Sequence, residues 1–214
     1  MNPYARPKFT PDGDPLDLAA RLFTQHPFAT LIALSDADPS PFHAVHTPVL
    51  VDRDGHGLTL HAHVARANDW WRCIERRPSV LAIAHGPHAA ISASWYAEPS
   101  AGTWNYVTCH ATCTAIAVHD EPTLRPFLER LTRTFEDDPG YRVEEAVMSK
   151  LVRAIVGVRL EVTQSKSVVK MSQNKDDATH ANIVQGLEGR EGVHADRAVA
   201  ELMRTLRTAG PARS

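Results

Sequence analysis

The chain has 214 residues, with 23 Lys+Arg against 25 Asp+Glu, a formal charge of −2, and 43% hydrophobic residues. That balance belongs to a globular chain with one large domain, or one domain and a small appendage, and it excludes a mainly disordered protein. No apolar run approaches the ~20 residues of a membrane span, and the near-neutral charge argues against autonomous DNA binding, which rests on a basic excess. Three cysteines and an N-terminus, MNPYARPKF, without an apolar core imply reduced thiols and a cytoplasmic location.

Asp14 is placed to cap a first helix with Pro15 at its first position, and Leu16, Ala19, Ala20 and Phe23 recur at helical spacing until Pro27. Phe28–Leu34 predicts a buried strand, and 36–41 (DADPSP) a turn. Strands at Val45–Asp52 and Leu58–Val64 flank Asp54-Gly55, a hairpin signal. A short helix follows over Asp69–Arg77. Ser79–His85 and Ala89–Trp95 predict two strands interrupted by Gly86-Pro87. The longest strand candidate is Trp104–Val118. One face carries Val107, Cys109, Ala111, Cys113, Ala115 and Ala117; the other carries Trp104, Tyr106, Thr108, His110, Thr112 and Thr114. A helix from Asp120 with the stripe Leu124, Phe127, Leu128, Leu131, Phe135 precedes a second, about 143–154. Strands at Ile155–Thr163 and Val168–Met171 and two helices, about 176–188 and 195–208, complete the chain.

Hairpin-rich strands with peripheral helices and no βαβ rhythm predict an α+β, mainly β, antiparallel barrel. The expected layout is a barrel domain over 1–165 with a helical insertion at about 120–154. Residues 166–214 add a closing strand and C-terminal helices to the same domain.

No G-x-G-x-x-G, G-x-x-x-x-G-K-[ST] or G-x-S-x-G occurs, so any cofactor must be held by scattered side chains. His61 and His63 share a strand face roughly 6.6 Å apart, which a metal pair tolerates, but hydrogen-bonded polar-face histidines are the commoner outcome. Cys109 and Cys113 lie ~13 Å apart by strand rise, too far to bridge, and suit core packing. In His63-Val-Ala-Arg-Ala-Asn68 a strand runs into a helix. Arg66 could offer a fork, and Asn68 a donor, to a phosphate; equally, Asn68 could cap the helix and Arg66 lie solvated. Aromatic and hydrogen-bonding groups also concentrate at Ser92, Ser94, Trp95 and at Trp104, Asn105, Tyr106, where ring stacking and core packing are both open.

These segments resemble the PaiB-like family, described as FMN-binding negative transcriptional regulators. The resemblance is carried by His61-Ala-His-Val-Ala-Arg-Ala-Asn68 with Trp71, by Gly86-Pro-His-Ala-Ala-Ile-Ser-Ala-Ser-Trp-Tyr96, by Thr103-Trp-Asn-Tyr106, by Ile155-Val-Gly157 and by Lys170-Met-Ser-Gln-Asn174. Ala90 and Ala93 depart from it, standing where Tyr and Pro are common. The resemblance implies an FMN-binding split antiparallel β-barrel, assembled as a homodimer with FMN at the subunit interface. It assigns the phosphate to Arg66 and Asn68, beside His61 and His63. It places Ile91, Ser92, Ser94 and Trp95 along the flavin ring, Trp104, Asn105 and Tyr106 near the dimer interface, and Lys170, Ser172, Gln173 and Asn174 as residues completing the pocket. Three functions stay open: an FMN-dependent oxidoreductase acting on a small-molecule redox substrate, a flavin-binding regulator without turnover, and a haem- or metal-handling relative.

Overall fold

A computed structural model describes residues 13–35, 40–55, 57–190 and 194–208; most of the turn predicted at 36–41 lies outside them. Six helices and seven strands follow one another as α1 (Pro15–Gln25), β1 (Phe28–Leu34), β2 (Phe42–Pro48), β3 (Leu50–Arg53), β4 (Leu58–Ala65), α2 (Trp70–Arg76), β5 (Ser79–Ile91), β6 (Thr103–Val118), α3 (Glu121–Phe135), α4 (Glu145–Ala154), β7 (Ile155–Lys170), α5 (Asp177–Gly189) and α6 (His194–Thr208). The strands form one antiparallel sheet in the order β2-β1-β5-β6-β7-β4-β3. Two compact units divide the chain. The larger is Asp14–Ala84 with Cys109–Lys166; the smaller is Met1–Gly13, His85–Thr108 and Ser167–Ser214.

In the larger unit, Asp14 Oδ1 accepts from Leu16 N (2.9 Å) and α1 buries Ala19, Ala20, Leu22 and Phe23. Arg53 fixes that helix to β3, pairing with Asp14 (2.6 Å) and Asp17 (2.8 Å). The single strand expected at Val45–Asp52 is two. Phe42–Pro48 pairs with β1 and Leu50–Arg53 with β4, because the chain changes partner at Val49, whose N–H donates instead to Pro27 O (2.9 Å). Thr47 Oγ1 donates to His63 O (2.9 Å), so β2, at one end of the strand order, meets β4 near the other, as a closing barrel requires. The hairpin between β3 and β4 is held by Asp54 Oδ1, which accepts from Gly57 N (2.7 Å).

Two further strand boundaries differ from expectation. Gly86-Pro87 does not end a strand: β5 runs through to Ile91, and its buried side shifts from even residues (Val80, Ala82, Ala84, Gly86) to odd ones (Ala89, Ile91). Gly86 is tolerated there because its neighbour is close; a Cβ would sit 2.9 Å from Val107 Cβ. Trp95 consequently leaves the strand and stands in a 3-10 turn (Ala93–Trp95) that Ser92 caps. β7 is likewise continuous. Its middle, Thr163 to Lys166, is polar and outward-facing, which interrupts the hydropathy without interrupting the backbone.

The small-residue face of β6 is buried as expected, with Val107, Cys109, Ala111, Cys113 and Ala115 inside. Burial, with Cys109 close by, pushes the Cys113 thiol up to about 12. Leu124 and Leu128 of α3 pack with Met148, Val152 and Ile155 in a core of their own. Gly157 lets α3 approach β7, since a Cβ there would lie 2.7 Å from Leu124 Cδ2.

Candidate functional site

β4 delivers its last residues to α2 through Arg66–Asp69. The junction is held by main-chain and indole groups: Arg66 N donates to Ala154 O (2.7 Å), and Trp71 Nε1 donates to Arg66 O (3.0 Å). Asn68, one residue before the N-cap Asp69, accepts from Trp70 N through Oδ1 at 3.0 Å, while the Asp69 side chain makes no capping bond. The Arg66 guanidinium donates from Nε to Arg153 O (2.9 Å) and from Nη2 to Ile155 O (2.7 Å), the carbonyls where α4 ends. Its Nη1 lies 3.3 Å from His119 Nδ1. A guanidinium only donates, so His119 Nδ1 accepts, and the proton sits on Nε2, which faces Glu75 Oε1 at 3.0 Å. Of five guanidinium N–H groups three are thereby directed, leaving one on each terminal nitrogen, the arrangement an end-on anion contact uses. The donor set at this corner is therefore of the right kind for a phosphate, while its cationic arm also ties α4 to β4.

His61 and His63 project from the same face of β4, both half-buried. His61 Nε2 lies 2.9 Å from Asp52, which Arg130 approaches at 2.6 Å. His63 meets the edge of the Phe127 ring at 5.9 Å between centroids, and its Nδ1 is buried without a hydrogen-bond partner. Among the described residues no three His, Cys, Asp or Glu side chains converge as metal ligands. Burial holds both imidazoles below their ordinary value of 6.5; for His61 this outweighs the upward pull of Asp52. The neutral ring is the favoured folded form, so each contributes stability in full above pH 6.5 and loses it as pH falls toward the lowered folded value. The melting temperature is expected to be level above about pH 7 and to fall on acidification below 6.5, with a shallower fall in His63→Gln. Thermal melts across that range check this; identical pH slopes in both proteins would exclude His63 as a contributor.

The smaller unit gathers the remaining candidates. Asn105 lies fully buried on the inner face of β6, its Oδ1 accepting from Ser172 Oγ (2.9 Å) and its Nδ2 facing Met203 Sδ (3.3 Å). Ser172 takes φ +58°, a left-handed conformation uncommon for serine. Gln173 stabilises the same turn through Oε1, which accepts from Met171 N (2.7 Å), while Asn174 is exposed. Lys170 Nζ donates to Thr103 Oγ1 (2.6 Å), and burial lowers its pKa from 10.5. Ser92 and Ser94 hydroxyls share a hydrogen bond of 2.8 Å. Ile91 is buried, Tyr106 half-buried, and Trp104 56% exposed with its ring tilted toward His88. The Trp95 ring has two close neighbours: Gly186 of α5 lies directly against it, and the Arg190 guanidinium stands 5.1 Å from its centroid. Arg190 also donates to Ala90 O (2.9 Å) and pairs with the buried Asp196.

Neither His119 with Glu75 nor Arg190 with Asp196 is visible in the sequence. Each partner is 44 or six residues away from the other in an ordinary polar context, and only the fold pairs them. Within one unit the structure brings Ser172 to Asn105 and Lys170 to Thr103, linking residues of two motif blocks.

Comparison with known proteins follows the same lines. A family model described as "Putative FMN-binding domain" matches residues 4–164. The chain is 28% identical over 187 residues to the Protease synthase and sporulation protein PAI 2 of Bacillus subtilis, covering 84% of this chain and 86% of that protein. Two solved structures share the fold. The flavocytochrome Anf3 from Azotobacter vinelandii matches with TM-score 0.55, 15% identity, and coverage of 79% of this chain and 73% of that one. The FAD and heme binding protein from Mycobacterium smegmatis matches with TM-score 0.54, 17% identity, and coverage of 79% and 77%. With the family model matching residues 4–164 and an antiparallel sheet of this order, the chain belongs to the FMN-binding domain family and has a split-barrel fold.

Proposed function

We propose that this protein is a cytoplasmic, homodimeric FMN-dependent redox protein acting on a small-molecule substrate, with any influence on transcription exerted indirectly. The observation that carries the reading is Arg66. Its guanidinium is fixed by two main-chain carbonyls and still has an unengaged N–H on each terminal nitrogen. Arg66 and Asn68 receive the FMN phosphate, with His61 and His63 on the adjoining strand. In the smaller unit, Ile91, Ser92, Ser94, Trp95, Trp104, Asn105, Tyr106, Lys170, Ser172, Gln173 and Asn174 are the residues assigned to the cofactor. Their hydroxyl, amide and ammonium groups are of the kind that hydrogen-bond a flavin ring, and the aromatic side chains offer it flat surfaces. Bound FMN supplies the electron-transfer chemistry; the chain's own groups bind and orient it. Homodimerisation is supported by large apolar side chains left outward on β6, Trp104 and Ile116, which a second copy would cover.

Two arginines of α6 argue against direct contact with DNA. Arg204 pairs with Glu188 and Arg207 with Asp177, so neither is free for a phosphate backbone. Oxidation of NADH or NADPH by the FMN-loaded protein is the expected result. In a gel-shift titration at about 0.15 M salt, with and without FMN, defined and scrambled DNA should behave alike. Sub-micromolar binding to one defined operator, with no nicotinamide oxidation, would instead support the regulator.

A further inference from the structure

α3, α4 and the connection between them line a half-open cavity of about 280 Å³, distinct from every residue assigned to FMN. Its charged lining sorts into engaged and unengaged groups. Arg125 is committed to Glu145 at 2.8 and 2.9 Å and to Glu121 at 2.8 Å, so Glu145 is neutralised in place. Arg142 directs only Nη1 inward, to Pro139 O and Tyr141 O, which leaves Nε and Nη2 available. Glu129 and Arg133 stand one helical turn apart in the order that favours an ion pair, and both line the cavity, yet among the described residues neither side chain forms an ion pair or hydrogen bond. Beneath these charges the wall is apolar, with the buried Met148 and the half-buried Val143. A neighbouring cleft of about 470 Å³ shares Thr132, Tyr141 and Val143 and continues along Leu131 and Phe135.

We propose that this cavity binds a free α-amino acid with a large apolar side chain. Its carboxylate meets Arg133 and Arg142, its ammonium meets Glu129, and its side chain lies over Met148 and Val143 toward Phe135. Two cationic groups and one carboxylate, all with capacity unfilled, match a zwitterion better than a simple anion. A volume below the ~300–1,000 Å³ of drug-sized pockets matches a ligand of amino-acid size.

The test is calorimetric titration of the purified full chain with L-phenylalanine, 3-phenylpropionate, which lacks the ammonium, and 2-phenylethylamine, which lacks the carboxylate. L-phenylalanine should bind saturably and each truncated probe about 10-fold or more weakly, since each loses a charge-assisted contact. Arg133→Gln should lower L-phenylalanine affinity about 10-fold, toward the level of the amine, with Arg142 still meeting the carboxylate, and Glu129→Gln should bring it down to that of the acid. Both positions are exposed, and FMN titration in the same variants should be unchanged, which separates this site from the flavin site. Absence of saturable binding of L-phenylalanine by the native chain would overturn the proposal without any variant. So would 3-phenylpropionate binding as tightly as L-phenylalanine, or variants with native affinity and selectivity.

Discussion

Arg66→Ala is expected to weaken FMN binding by roughly 10- to 150-fold, because a hydrogen bond to a charged group is worth about 1.5–3 kcal/mol. The same change removes the two contacts to Arg153 O and Ile155 O, so a drop in melting temperature should accompany it. The two effects are separable. Arg66→Lys should restore part of the phosphate affinity, as a cation, and little of the tethering, since an ammonium lacks the planar fork that reaches both carbonyls. FMN titration and thermal melts of the three proteins check this. Native FMN affinity in Arg66→Ala with a lowered melting temperature would leave Arg66 only its structural role.

A paired substitution in α5 should show opposite signs for the same chemical change. Glycine inside a helix is ordinarily improved by alanine, by roughly 0.5–1 kcal/mol. At Gly189 a Cβ would meet nothing within 4 Å, so Gly189→Ala should be neutral or stabilising within that range. At Gly186 a Cβ would lie 2.3 Å from the Trp95 ring, a rigid bicycle that cannot give way by rotating a terminal atom. Gly186→Ala is therefore expected to destabilise by about 1–3 kcal/mol, as overpacking does, and to displace the indole from beside Arg190. Chemical denaturation measures the first effect, and a shift in tryptophan emission, referenced to Trp95→Phe, measures the second. Equal stability of the two alanine variants would mean that Trp95 does not pack on α5.

What the sequence made legible follows from which forces act locally. α1 was readable because its cap, its proline and its apolar spacing all lie within ten residues. The faces of β6 were readable because side chains alternate whatever the partners are. The split of Val45–Asp52 into β2 and β3 was not readable, because its cause is a change of hydrogen-bonding partner at Val49, fixed by strands far away in sequence. The continuity of β5 through Gly86-Pro87 was hidden for a related reason. The signal for a break was real, but close packing on Val107 makes the glycine a requirement of the strand rather than its end. At the site, the resemblance supplied the residues and the structure supplied their engagements. Asn68 could be a cap or a ligand by spacing alone; its Oδ1 accepts from Trp70 N at the helix start, which leaves its Nδ2 donors for the phosphate role proposed above. Asn105 illustrates the remainder. Alternation puts Asn105 on the same face as Val107 and Cys109, but nothing in the strand announces the serine, 67 residues later, that satisfies it there.

The most direct measurement is a spectral titration of FMN with the purified full-length chain, followed at the flavin absorption bands and by quenching of flavin emission. Saturable binding with one FMN per chain is the expected result, with flavin bands shifted from those of free FMN and native affinity lost in Arg66→Ala. Flavin spectra unchanged by excess protein, or saturable uptake of haem with a Soret band and no uptake of FMN, would contradict it.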